Sequence, residues 1–411
     1  MKILLIVGQN LSNNNSANLC HLAYLKGLID IGADVTLLSA EGSLENIDIG
    51  KEYHHQLKIK NYKDSRFYHR FYRNKIAPVK NSNTAAVELS DKKVSFATKV
   101  KTLIVKIVRA LTSVRSVYGT NYIWYKNAKK YKNKEEEFDY IISLSWPTIS
   151  HKLANYLLKK GRVSAKKHIQ IWEDPWYGDL YISQRKNRSR IQKEESRLLN
   201  GADKIFYVTP ITLKNQQNLF KVYANKMFWE PLPSYYEENQ VLDFLKPSPQ
   251  YGYFGEYFPH VRNLAPFVDA AKEMEVSCVI CGNPKDLFVG TSKLKIYPRM
   301  PLEELKEYER DVDVLVFVSN LSGGQIPGKI YQYSATKKYI LFILDGTEEE
   351  QNTLEGYFKQ FERYVFCKNN KKSIIEGMKQ IEELYKNKEN VDSVDYFKPE
   401  RVVARIIGEE I

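Results

Sequence analysis

The sequence predicts two α/β domains in succession, each a parallel sheet wrapped by helices, facing one another across a cleft. Three observations carry this. The chain opens β-α-β: an apolar run Lys2–Val7, a helical period over Ala17–Ile31, and a second apolar run Val35–Ser39 after Gly32. Such an alternation closes into a parallel sheet with right-handed crossovers. The alternation restarts after a Pro-rich, weakly periodic stretch between Pro231 and Pro249, which reads as an interdomain linker. Finally, 411 residues exceed what one hydrophobic core usually serves.

In the first half, Asn15 or Ser16 is placed to cap the opening helix. Further strands are expected at Tyr140–Leu144, His168–Trp172 and Lys204–Val208, with a helix from about Ile211 and a short strand near Lys226–Trp229. In the second half, strands are expected at Tyr251–Phe254, Ser277–Cys281, Val314–Val318 and Tyr339–Ile343. Helices are expected at Leu264–Glu273, Leu302–Glu309, Gly328–Thr336 and Ile374–Tyr385. Helical period returns near Val402–Ile407. The boundaries that follow are 1–235 for the first domain, 236–249 for the linker and 250–392 for the second. A terminal helix in 393–411 would then pack back on the first domain.

Apolar content of 43% is that of a globular protein. The start Met1–Val7 turns polar too soon for a signal peptide, and no run reaches the roughly 18–20 apolar residues of a membrane span. Four cysteines argue against a disulfide framework and for a reducing, cytoplasmic setting. Cys278 and Cys281 lie within an apolar strand and read as buried thiols. The net charge of +13 is local: residues 51–134 hold 21 Lys/Arg against four acids, leaving the remainder at −4.

That basic insert, 51–134, interleaves base and aromatic at Arg66–Arg73. Farther on, Phe96, Val100, Leu103, Ile107 and Leu111 form a helical stripe flanked by Lys99, Lys101, Lys106 and Arg109. An apolar stripe with a basic flank is the composition of a helix lying on an anionic membrane surface, each cation contributing about 1 kcal/mol. It is equally that of a helix packed on the first sheet with a solvated basic face. Nucleic acid is the rival partner, but no nucleic-acid-binding motif accompanies the pattern.

Chemistry concentrates in the second half. Ser322-Gly-Gly-Gln-Ile-Pro-Gly-Lys-Ile-Tyr-Gln-Tyr-Ser-Ala335 is a Gly-rich loop that follows an apolar strand and opens a helix. Free backbone N–H groups at such a helix start, with Lys329 beside them, suit a phosphate. Upstream, Phe254-Gly255 ends a strand and Arg262 follows seven positions on. Then come Gly282 at the end of the next strand and Arg299-Met300 before a short helix.

These four features resemble, in order, the donor half of GT-B glycosyltransferases of the family 4 retaining type. There a P-x-K-x-x-E-Y-x-A-x-G-K-P-V pattern holds a nucleotide-diphosphate sugar. The resemblance implies that Gly255, Gly323, Gly324 and Arg262 meet the diphosphate, that Lys329 neutralises it, and that Gly282 and backbone atoms at Arg299 and Met300 border the base. Arg262 and Lys329 would be the catalytic pair, no metal or other cofactor being required. The sequence departs from the family at its Glu-x7-Glu pair, which falls on Gly324 and Gln332. Gln332 can still accept from a ribose hydroxyl. Gly324 cannot hold a sugar, and Gln325 beside it is the candidate substitute.

The first domain would bind the acceptor, a glycan or lipid-linked glycan, through Asn10, Trp146, Glu173, Asp174 and Trp176. Trp176 would stack on a sugar face. His151 reads as a residue of a helix start rather than a catalytic base. The resemblance implies transfer of a sugar in bacterial surface polysaccharide synthesis, such as capsule, at the inner face of the plasma membrane. A catalytically silent GT-B protein and a nucleotide-sugar epimerase are the alternatives.

Overall fold

A computed structural model describes residues 1–12, 15–42, 57–64, 116–179, 187–235, 242–322 and 324–409. Lys99, Lys101, Lys106, Arg109 and Gly323 lie outside these residues. The N-terminal sheet contains β1 (Lys2–Val7), β2 (Asp34–Ala40), β3 (Leu57–Tyr62), β4 (Glu137–Ser145), β5 (Ser164–Trp172), β6 (Lys204–Tyr207) and β7 (Met227–Trp229). Their order is β3-β2-β1-β4-β5-β6-β7. The C-terminal sheet contains β8 (Tyr251–Phe254), β9 (Cys278–Cys281), β10 (Leu294–Tyr297), β11 (Val314–Val318), β12 (Tyr339–Leu344) and β13 (Tyr364–Lys368), in the order β10-β9-β8-β11-β12-β13. The pairings within it are parallel. Both orders run outward one way from the first strand and then the other, the doubly wound pattern of Rossmann-like sheets. The expected two parallel α/β layers are therefore present.

Three strands escaped the sequence reading. β3 (Leu-Lys-Ile-Lys-Asn-Tyr) and β10 (Leu-Lys-Ile-Tyr) are sheet-edge strands with alternating burial, and β13 is the opposite edge of the second sheet. Residues 57–62, within the expected insert 51–134, pair with β2 and belong to the sheet. Among the described residues no helix is long and apolar enough to cross a membrane.

The chain divides into two compact units. The first comprises Met1–Ser12, Asp34–Ile171 and Tyr181–Lys204; the second comprises Asn13–Ala33, Trp172–Leu180 and Ile205–Ile411. The units therefore do not follow the sequence boundary near residue 235. Helix α1 (Ser16–Asp30) groups with the second half because the C-terminal helix, Pro399–Ile407, packs along it. A Cβ at Gly27 would lie 2.4 Å from the Pro399 carbonyl oxygen, so only glycine permits that approach. Asn15 caps α1, its side chain accepting from Asn18 N at 2.9 Å.

Inside the first unit, β1 is buried from Ile3 to Val7, and the buried interior includes polar groups as well. Ser143 Oγ stands 2.8 Å from His151 Nδ1 and 3.2 Å from His168 Nε2, and His168 Nδ1 donates to the Gly201 carbonyl at 2.8 Å. His151 lies one turn into the helix Ile149–Lys159 and is wholly buried. Burial, and then His168, hold its imidazole well below the usual range. The folded chain thus binds this proton less readily than the unfolded chain. Its contribution to stability is complete above about pH 6.5 and is lost as pH falls. We expect the wild-type melting temperature to drop on acidification more steeply than that of His151→Gln. The difference should approach about 1.4 kcal/mol per pH unit. Parallel pH–melting curves for the two proteins would contradict it.

Candidate functional site

The site is built on the carboxyl edge of the second sheet. Phe254, Cys281 and Tyr297 are level across β8, β9 and β10. The chain leaves these strands in step: Gly255 N donates to Cys281 O at 2.9 Å, Gly282 N to Tyr297 O at 3.1 Å, and Tyr257 N to Asn283 O at 3.1 Å. A Cβ on Gly282 would sit 1.9 Å from the Gly255 carbonyl oxygen. Glycine at 282 is thus a packing requirement of two backbones in contact. Gly255 has ordinary room, its nearest would-be neighbours being Tyr253 Oη at 3.7 Å and Arg262 Nη1 at 3.9 Å.

Arg262 sits where the strand order reverses between β8 and β11, the place at which ligands bind in open α/β sheets. Nη1 donates to the Glu256 carbonyl at 3.0 Å and Nη2 to Asn320 Oδ1 at 2.8 Å. Asn320, just past β11, donates through Nδ2 to the Gln325 carbonyl at 3.0 Å. Leu321 N reaches the Val261 carbonyl at 2.8 Å, so the two loops are stitched together. Both acceptors of the guanidinium are neutral. Among the described residues no carboxylate pairs with Arg262, and its full charge is held in a fixed place. Arg299 lies nearby in sequence order, 3.5 Å from Glu256 Oε1 in a well-solvated pair.

Lys329 differs from the expectation. Its Nζ is 2.5 Å from Glu309 Oε1, a carboxylate at the end of the helix Leu302–Asp311, so its charge is already compensated. The helix it opens, Lys329–Ser334, has six residues and not the nine expected over Gly328–Thr336. So short a helix has little dipole to offer a phosphate. Gln332 is corrected too. It is 6% exposed, and its Oε1 accepts from Tyr235 N at 2.6 Å, so that acceptor is engaged by the chain itself.

The missing glutamate at 324 has a steric cause. Gly324 has φ of +68°, and a Cβ there would stand 2.3 Å from Ile211 Cγ2. Its carbonyl accepts from Thr209 Oγ1 at 2.9 Å, which fixes the turn. The next residue, Gln325, reaches out with Nε2 to Asp174 Oδ1 at 2.5 Å. Asp174 follows β5 in the Trp172–Leu180 segment of the same unit. Beside it Glu173, buried, meets His21 Nε2 of α1 at 2.9 Å. Asp174 is exposed to solvent, while its carboxyl stands beside Gln325, Glu173 and Asp179. Partial loss of water at that group, followed by the charges of Glu173 and Asp179, pushes its carboxyl up to about 7 against the pull of the Gln325 amide.

Of the acceptor candidates, Trp176 is only 3% exposed. A ring packed on its faces cannot stack on a sugar, so the expectation for Trp176 fails. Trp146 is 46% exposed, and Asn10 Oδ1 accepts from Ser12 N at 2.8 Å. Both belong to the first unit. Sequence reasoning missed Asn320, Glu309 and His21. Asn320 was within reach, since it directly follows a recognised strand. Nothing in an apolar helix marks His21. Among the described residues no three His, Cys, Asp or Glu are grouped to hold a metal ion.

Among solved structures, sucrose-phosphate synthase of Thermosynechococcus elongatus superposes with a TM-score of 0.52, covering 99% of this chain and 94% of its own. The chain has the GT-B fold. At 10% identity the likeness is one of fold. Anabaena HepE in complex with UDP and glucose matches at a TM-score of 0.48 and 10% identity, over 99% of this chain and 93% of its own. The lipopolysaccharide outer core galactosyltransferase WaaB in its apo form matches at 0.44 and 11%, over 98% and 95%. No protein-family description and no curated protein match the sequence. The cluster around Arg262 lies at the switch point of the C-terminal Rossmann-like sheet.

Proposed function

We propose that this chain is a retaining glycosyltransferase of hexosyltransferase type. It would move a sugar from a nucleotide-diphosphate sugar to a glycan or lipid-linked glycan in bacterial surface polysaccharide synthesis. The observation that carries the reading is Arg262, a guanidinium fixed at the sheet's switch point by neutral acceptors only. A diphosphate there would receive charge-assisted, bidentate hydrogen bonds. Negative charge grows on the diphosphate as the sugar–phosphate bond breaks, and a preorganised cation stabilises the transition state more than the ground state. A cation so placed can do what a metal does in other transferases, which is the basis for proposing a metal-independent reaction. Lys329 can join only by exchanging Glu309 for phosphate. The leaving phosphate would accept the proton of the attacking hydroxyl, so no separate base is assigned.

The catalytically silent reading is favoured by one specific observation. Neither position of the family's carboxylate pair is available: Gly324 cannot carry a side chain, and Gln332 is held by Tyr235. Binding and turnover separate the two readings. Calorimetry against UDP, GDP, CMP, ADP and the UDP- and GDP-sugars, with and without divalent metal, should give one nucleotide diphosphate as a specific, metal-independent ligand. Release of that nucleotide from its sugar, measured with the same protein, then marks an enzyme. Tight binding with no release would establish the silent scaffold, and no binding at all would refute the donor site.

A further inference from the structure

Resting on the donor site proposed above, we propose that Asp174 and Gln325 form its sugar-recognition end, a pair of acceptor oxygens that read ring hydroxyls. Asp174 was expected to serve the acceptor; its hydrogen bond to the donor loop reassigns it.

With no side chain at 324, Gln325 is the first side chain after the glycine pair of the loop, and its amide is bound to Asp174 Oδ1 at 2.5 Å. That bond occupies one carboxylate oxygen and the amide nitrogen. Asp174 Oδ2 and Gln325 Oε1 remain, and hydrogen bonding among the described residues does not engage them. Two acceptors and a negative charge repel phosphate and suit hydroxyl donors.

The other end of the same loop has the opposite character. Arg262 is tied to Asn320, Asn320 to the Gln325 backbone, and the Gln325 side chain to Asp174. One continuous hydrogen-bonded line thus runs from a fixed cation to an acceptor pair. A nucleotide-diphosphate sugar has the matching polarity, an anionic diphosphate followed by an uncharged polyhydroxyl ring. The line sets the two ends at a fixed separation, so that binding of one orders the other.

Titration provides the readout. The groups facing Asp174 are Glu173 and Asp179 on its own segment, the Gln325 amide, and Cys20 on α1, while His21 of α1 faces Glu173. Because its carboxyl titrates near 7, it carries an extra acceptor above that pH and a proton below it. The raised value also means that the folded chain holds this proton more tightly than the unfolded chain. Stability from this group is therefore present below the ordinary carboxylate range, near pH 4, and is lost as pH rises through about 7. That is a direction tolerated at a site of use.

The test is calorimetry of UDP, GDP, UDP-glucose and GDP-mannose on the full chain, about one pH unit below and above 7. The proteins are wild type, Asp174→Asn and Gln325→Ala, each checked by thermal melting. Wild type should bind a nucleotide sugar more tightly than its nucleotide, with the margin larger on the alkaline side. Asp174→Asn should shrink that margin by about tenfold or more and remove its pH dependence, leaving nucleotide affinity alone. Gln325→Ala should shrink the margin in the same way. Equal weakening of nucleotide and nucleotide sugar, or no change in either, would overturn the assignment. A wild type that binds nucleotides without preferring their sugars overturns this inference and spares the donor site. A wild type that binds none of the four overturns both.

Discussion

Arg262→Ala is expected to abolish nucleotide binding at micromolar protein and to lower transfer by about 10²–10³-fold, the loss seen when one preorganised donor is removed from a developing anion. The size of the effect follows from the setting. The guanidinium is half-buried, is fixed at two points, and has no carboxylate to share its charge among the described residues. Arg262→Lys keeps the charge but loses the fork that reaches both Glu256 O and Asn320, and should fall between the two. Steady-state kinetics with the nucleotide sugar found in the binding screen, together with calorimetry of the nucleotide, provide the check. Near-wild-type turnover in Arg262→Ala, with an unchanged melt, would remove Arg262 from the site. Lys329→Ala should be milder than Arg262→Ala, because Glu309 already neutralises that lysine.

Gly282→Ala is expected to destabilise the second sheet by about 3–5 kcal/mol, at the upper end of single substitutions. The added Cβ would meet a backbone oxygen at 1.9 Å, and backbone atoms cannot swing aside as a side chain can. Relief requires β8 and β9 to part at their carboxyl ends, where Gly255 N is bonded to Cys281 O. Nucleotide affinity should fall with stability, since Arg262 hangs from the loop that follows Gly255. A chemical-denaturation curve superposable on wild type would show that the two turns do not touch. Gly255→Ala is the control, having only ordinary contacts around its would-be Cβ.

Much of the architecture was legible because buried parallel strands are short, continuous apolar runs. Ile3–Val7, Val314–Val318 and Tyr339–Leu344 are buried end to end, and each reads as a strand without its neighbours. β3 and β10 were not legible, since an edge strand needs only alternate residues inside and lysine fills the rest. Gly282 and Gly324 are glycines for steric reasons that the sequence does not display. The reason for each lies in an atom remote in sequence, the Gly255 oxygen in one case and Ile211 in the other.

The sequence by itself determined the alternation of strands and helices, the doubly wound pair of sheets, and the place of the Gly-rich loop at a strand's carboxyl end. These depend on local period and on glycine, which act over a few residues. Only the tertiary structure decided which charges remain available. Lys329 is matched by Glu309, twenty positions away, and Gln325 by Asp174, 151 positions away. Arg262 is left charged among neutral partners. Such pairings are set by strand order and loop register, and electrostatic energy depends on distance in space rather than in sequence.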